Sequence, residues 1–178
     1  MRRPLDLERL RQVLDALGRA CRGPGVLYLT GGATALLEGW RDSTVDIDLK
    51  LDPEPEGVFA AIARIKEELD VNVELASPAD FVPELAGWRS ESRFVGRFGL
   101  IEVRHYDFRA QALSKLARGF GRDLSDVRAM RDRGLVTCDG LRAALEEMTP
   151  RLERFPRVDR GVLVLRLEEL CGSTGGQP

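Results

Sequence analysis

Asp46 and Asp48 are the residues of this chain whose type and spacing best suit chemistry. They lie two apart among Val45, Ile47 and Leu49, in a stretch that alternates polar and apolar with period two. That alternation predicts a strand, and residues two apart on a strand project from one face with Cα atoms about 6.6–7 Å apart. Two carboxylates held side by side repel each other, and apolar neighbours raise the cost. A divalent cation that prefers oxygen ligands, as Mg²⁺ does, converts the repulsion into affinity. The bland alternative is an edge strand with its polar face in water. Upstream, Gly31-Gly32 follows the apolar run Val26-Leu27-Tyr28-Leu29 and opens a helical stretch. Glycine lets a backbone approach a phosphate closely, and a helix start offers N–H donors. The pair also fits an ordinary tight turn. No GxGxxG or GK[S/T] follows it, so neither a dinucleotide fingerprint nor a Walker loop is present. Downstream, Lys115 and Arg118 stand one helical turn apart, where two cations repel unless an anion lies between them.

The elements that must position these groups follow from periodicity. Leu7, Leu10, Val13, Leu14 and Leu17 mark a helix over 5–20, ended by Gly18 and Gly23-Pro24-Gly25. Strands are expected at 26–29, 45–49 and 71–75, with helices at 33–38 and roughly 57–69. Residues 77–92 read mostly as loop. Segments 94–98 and 100–105 read as a hairpin about Gly99. From Phe108 the pattern is helical, over roughly 108–118, 122–133, 138–148 and 160–170, although the last could begin as a strand. The expected organisation is an α/β core with its N-terminal helix over 1–107, a helical part over 108–171 packed on it, and a disordered tail over 172–178.

Composition narrows the function classes. The chain has 178 residues, 27 basic and 29 acidic, with 43 % hydrophobic content. That suits a soluble globular protein able to bury a core without staples. No apolar run nears the roughly 20 residues of a membrane span, and no secretion signal opens the chain, so a cytoplasmic location is expected. Three distant cysteines and a single histidine argue against a disulfide scaffold and against a zinc site. Charge is uneven: residues 33–80 carry twelve acids and four bases, whereas 89–133 carry eleven bases and six acids. An acidic stretch suits metal ions and a basic one suits phosphates. His105, Trp40 and Trp88 fit core or lid packing, with substrate contact or base stacking as the alternative.

In order and spacing, these motifs resemble the minimal nucleotidyltransferases of the DNA polymerase beta superfamily, and most closely its toxin-type branch from toxin–antitoxin and abortive-infection systems. The likeness spans roughly residues 26–130. It rests on Gly31-Gly32, on Arg41-x-Ser43-Thr44-x-Asp46-Ile47-Asp48, and on Lys115-x-x-Arg118 followed by Arg122-Asp123-x-x-Asp126. The resemblance implies a polymerase-beta-like α/β fold, a mixed sheet with flanking helices, plus a helical C-terminal part. It implies transfer of a nucleoside monophosphate from an NTP to an acceptor hydroxyl with two Mg²⁺ ions. Asp46, Asp48 and a third carboxylate would hold the metal. Glu74 is favoured for that place because its strand follows the crossover from the Asp46–Asp48 strand, with Glu102 as the rival. Lys115 joins the catalytic set. Gly31, Gly32, Thr30, Thr34, Arg41, Ser43, Arg118, Arg122 and Asp126 would meet the nucleotide. Relatives often have Gly-Ser where this chain has Gly31-Gly32, so a hydroxyl contact would fall to Thr30 or Thr34. The acceptor implied is the 3′ end of tRNA or another RNA, and an antitoxin-like protein is an implied partner. Two other readings stand beside it: a non-catalytic binder of nucleotide, nucleic acid or protein on the same fold, and an adenylyltransferase of small molecules such as antibiotics.

Overall fold

The computed structural model describes residues 4–172, which form two compact units. Residues up to Ser77 together with Arg89–Tyr106 make the first; Pro78–Trp88 together with the chain from Asp107 make the second. The segment read as loop from the sequence therefore divides at Trp88, and its first part belongs to the helical unit.

The first unit is α/β. In chain order it contains α1 (Leu7–Ala20), β1 (Gly25–Thr30), α2 (Gly31–Leu37), β2 (Asp46–Leu51), α3 (Val58–Glu68) and β3 (Asn72–Leu75). The single turn α4 (Trp88–Glu91) leads into β4 (Arg93–Phe98) and β5 (Ile101–His105). The five strands form one mixed sheet in the order β3-β2-β1-β5-β4. β1 runs antiparallel to β2 and parallel to β5, and β2 runs parallel to β3. Alternation sorts the strands: Leu27, Leu29, Ile47, Leu49, Val73, Ile101 and Val103 face a core shared with Leu10, Leu14 and Leu17 of α1 and Ile62 and Ile65 of α3. Asp6 starts α1 by accepting a hydrogen bond from the Arg9 amide at 2.9 Å. Gly18 does not end α1 but lies inside it. A Cβ there would stand 2.5 Å from the Phe98 carbonyl, so glycine lets the helix lie against the β4–β5 turn.

The second unit is helical: a 3₁₀ turn at Pro78–Asp80, then α5 (Phe108–Arg118), α6 (Gly121–Asp132), α7 (Cys138–Met148), a 3₁₀ segment at Thr149–Arg154 and α8 (Arg160–Gly172). The last is helix throughout. Leu163, Leu167 and Leu170 bury one stripe of it, which removes the strand alternative. α5 ends at Gly119 in the left-handed region. There Arg166 Nη1 donates to the carbonyls of Leu116 and Ala117 at 2.7 and 3.0 Å, satisfying the helix end.

The cysteines depart from the expectation of no disulfide. Cys138 at the start of α7 and Cys171 near the end of α8 are joined by a disulfide, while Cys21 is free and buried. The bridge closes 33 residues of sequence, so no local spacing signals it. The odd cysteine belongs to the other unit. The expected disordered tail, apart from Gly172, lies outside the described residues. Among the described residues no helix is long and apolar enough to cross a membrane.

Candidate functional site

The pleat of β2 sends Ile47 and Leu49 into the core and turns Asp46 and Asp48 to the opposite face, where both are half-buried. Register fixes their neighbours. Asp48 pairs with Glu74 on β3 and with Thr30 on β1; Asp46 pairs with Asn72. Directly paired residues share a face, so Thr30, Asp48 and Glu74 form a row across three strands. Asn72 Nδ2 donates to Asp46 Oδ1 at 2.8 Å and to Glu74 Oε1 at 2.7 Å, placing the positive end of an amide between two carboxylates.

Glu102 lies on the same face of the sheet but at its other end. It pairs with Val26, four residues along β1 from Thr30, a distance of roughly 13 Å. Its carboxylate is bound by Arg104 and Arg97. The register thus sets Glu74, and not Glu102, beside Asp48.

The Gly31-Gly32 turn closes against this strand. Gly31 has φ +59°, and a Cβ on it would lie 2.6 Å from Asp48 Oδ2. A Cβ on Gly32 would lie 2.0 Å from Thr44 Oγ1, whose hydroxyl donates to the Asp46 carbonyl at 3.1 Å. A side chain is disfavoured at both, at Gly31 by the left-handed conformation and at Gly32 by the Thr44 side chain. The Arg41 guanidinium is also near, 3.6 Å from where the Gly32 Cβ would stand, and Ser43 is exposed in the connection to β2.

Thr34 turns inward. It is fully buried, and its hydroxyl donates to the Leu29 carbonyl at 3.1 Å and stands 3.2 Å from His105 Nδ1. His105 Nε2 is 2.9 Å from Glu38 Oε1, and Glu38 is also bound by Arg93. Burial pushes the imidazole pKa down to about 4, against the opposing pull of the Glu38 charge. Thr34 and His105 therefore belong to an internal chain of hydrogen bonds, and of the two threonines Thr30 alone shares the carboxylate face. Trp88 is buried and Trp40 half-buried.

In the helical unit, Lys115 is 4 % exposed. Its Nζ lies 2.6 Å from Asp126 Oδ2 and 3.4 Å from Asp123 Oδ1. Arg118 forks onto Asp123 through Nε at 3.0 Å and Nη2 at 2.8 Å, and its guanidinium stacks 4.7 Å from the centre of the Phe81 ring. The repulsion expected between Lys115 and Arg118 is thus relieved by two internal carboxylates. Asp123, five residues beyond Arg118, was not among the sequence-derived site residues. Arg122 is exposed.

Among the described residues no three acidic, histidine or cysteine side chains stand close enough together to hold a metal ion as they are arranged. Asp46, Asp48 and Glu74 on the β2–β3 face nonetheless offer carboxylate oxygens, the kind Mg²⁺ takes, and the Asn72 amide already supplies partial positive charge between two of them. Asn72 is the residue that sequence reading missed. Its signal was its place two before Glu74 on the same alternating strand. No family model, no curated protein and no solved structure matches this chain.

Proposed function

We propose that this chain is a metal-dependent nucleotidyltransferase of the toxin type, carrying a nucleoside monophosphate from an NTP to an acceptor hydroxyl at the end of an RNA. One observation carries the reading: Asp46, Asp48 and Glu74 share one face of adjacent strands, beside a glycine turn that closes on Asp48. In this reading the three carboxylates hold Mg²⁺. Bound there, the cations supply Lewis acidity to the acceptor hydroxyl and charge neutralisation to the leaving pyrophosphate. Thr30, Arg41 and Ser43 offer donors to phosphate from the first unit. Within the second unit Arg122 is an exposed cation, and Lys115 becomes available to phosphate by giving up an aspartate partner, while Arg118 stays on Asp123. An antitoxin-like partner belongs to the same proposal, as does a cytoplasmic location, where the Cys138–Cys171 pair would be kept reduced.

A second reading, a non-catalytic binder on this fold, draws support from the Asn72 bridge and from the two aspartates that neutralise Lys115. The deciding experiment is incubation with Mg²⁺, each labelled NTP and total cellular RNA. Label is expected in RNA with the wild type, and to vanish with chelator or in Asp46→Ala. An unlabelled RNA fraction with every NTP favours the binder.

A further inference from the structure

The helical unit contains a cleft of about 590 Å³ that the carboxylate chemistry does not use. Phe81, Phe120 and Phe155 line it with Arg118, Arg154 and Arg157. Phe120 is 67 % exposed and Phe81 36 %, so two aromatic side chains are open to water within a concave site. Arg118 already covers one ring and is neutralised by Asp123. Arg154 and Arg157 are exposed and make no ion pair or side-chain hydrogen bond among the described residues.

We infer that this cleft takes an unstacked base of single-stranded RNA, with the phosphates on either side of it held by Arg154 and Arg157. Flat aromatic faces accept any base by stacking, and unpaired arginines track the backbone. Stacking, rather than charge, separates this occupant from an acidic peptide. With Arg118 compensated, two arginines face one lining acid, Asp80, so the excess is small. That suffices for one or two phosphates, and stacking of a flat base on the exposed rings, which an acidic side chain cannot offer, is the larger contribution. The inference deepens the acceptor half of the proposed function and rests on it for the choice of RNA.

The test uses the full chain in EDTA, without NTP, so its outcome is separable from that of transfer. Anisotropy is measured with a labelled oligouridine of roughly eight nucleotides, a duplex of equal length, an acidic octapeptide containing phenylalanine, and adenosine monophosphate. The single strand is expected to bind tightest. Phe120→Ala, at an exposed position, should weaken it about fivefold or more. Arg154→Gln with Arg157→Gln should lower the slope of log affinity against log salt by about 1.4. Unchanged strand binding in both variants overturns the inference. So does tighter binding of the duplex, the peptide or the mononucleotide. Failure of this binding with transfer intact removes the cleft alone; failure of transfer with binding intact removes the enzyme alone.

Discussion

Removing the Lys115 ammonium takes from the buried Asp126 carboxylate the cation that stands 2.6 Å from it, while Asp123 keeps Arg118. Breaking a buried pair from one side costs about 3–5 kcal/mol. Lys115→Met is therefore expected to lower stability by about 3 kcal/mol in urea denaturation, and Lys115→Met with Asp126→Asn to recover most of it. A loss of kcat that persists in the stability-restored double variant, with KM for NTP little changed, marks contact with phosphate in the transition state. Full transfer in that variant marks a structural lysine. His105 gives an independent test. Its folded pKa of about 4 lies below the ordinary value near 6.5, so the unfolded chain binds more protons between them. The stability it contributes is full above about pH 6.5 and is lost as pH falls toward 4. The chain has one histidine, so a single imidazole NMR signal should titrate near pH 4. A midpoint near 6.5 disproves the buried neutral ring. The shared face of Asp46 and Asp48 was legible at this scale because period-two alternation fixes a face, whereas the choice of Glu74 over Glu102 rested on strand order and is settled by register. The partners of Lys115 and His105 were not, since Asp126 comes from the next helix and Thr34 lies 71 residues from His105.

Among elements, the β1–α2 turn and the α7–α8 clasp are the ones a substitution tests directly. Gly32→Ala drives a methyl into Thr44, whose backbone is bridged to Leu5, and should cost roughly 1–3 kcal/mol as overpacking. Gly31→Ala adds left-handed strain of about 1–2 kcal/mol and displaces the Asp48 carboxylate. Either variant within about 0.5 kcal/mol of wild type means the turn is looser than these contacts imply. For the clasp, closing 33 residues of sequence restricts the unfolded chain by about 4 kcal/mol as an entropic ceiling. Thiol titration of the denatured, unreduced protein should find one thiol, and three after reduction. Three thiols before reduction would show the bridge does not form. The exposed Arg142–Glu168 fork between the same two helices holds the Glu168 carboxyl below its usual range, yet adds little beside the disulfide. Helices at three-and-four spacing were read nearly to the residue, because an apolar stripe is local information. The disulfide and the assignment of Pro78–Trp88 to the helical unit depend on which distant segments meet, which no window of sequence contains.

At the scale of the whole molecule, the near-neutral total conceals the charge that matters. Residues 33–80 carry a net of -8, and Asp46, Asp48 and Glu74 bring part of that to one sheet face. Without a cation, Asp46 and Asp48 bring like charge to one face, and the Asn72 amide offsets part of it at Asp46 and Glu74. A ligand that binds only the folded chain stabilises it by about 2.7 kcal/mol at a hundredfold excess over Kd. Mg²⁺ is therefore expected to raise the thermal midpoint of the wild type beyond any effect of NaCl at equal ionic strength, which controls for general screening. Asp46→Ala should lose that Mg²⁺-specific rise. Its metal-free midpoint should stay near the wild-type value, because the repulsion is relieved while Asn72 keeps Glu74 as a partner. This separates a site from a surface: a diffuse acidic stretch would lose only a fraction of the shift with one carboxylate removed, whereas a cation held by three named oxygen donors loses nearly all of it. An equal Mg²⁺ shift in wild type and Asp46→Ala would place the ion elsewhere and withdraw the metal role from β2.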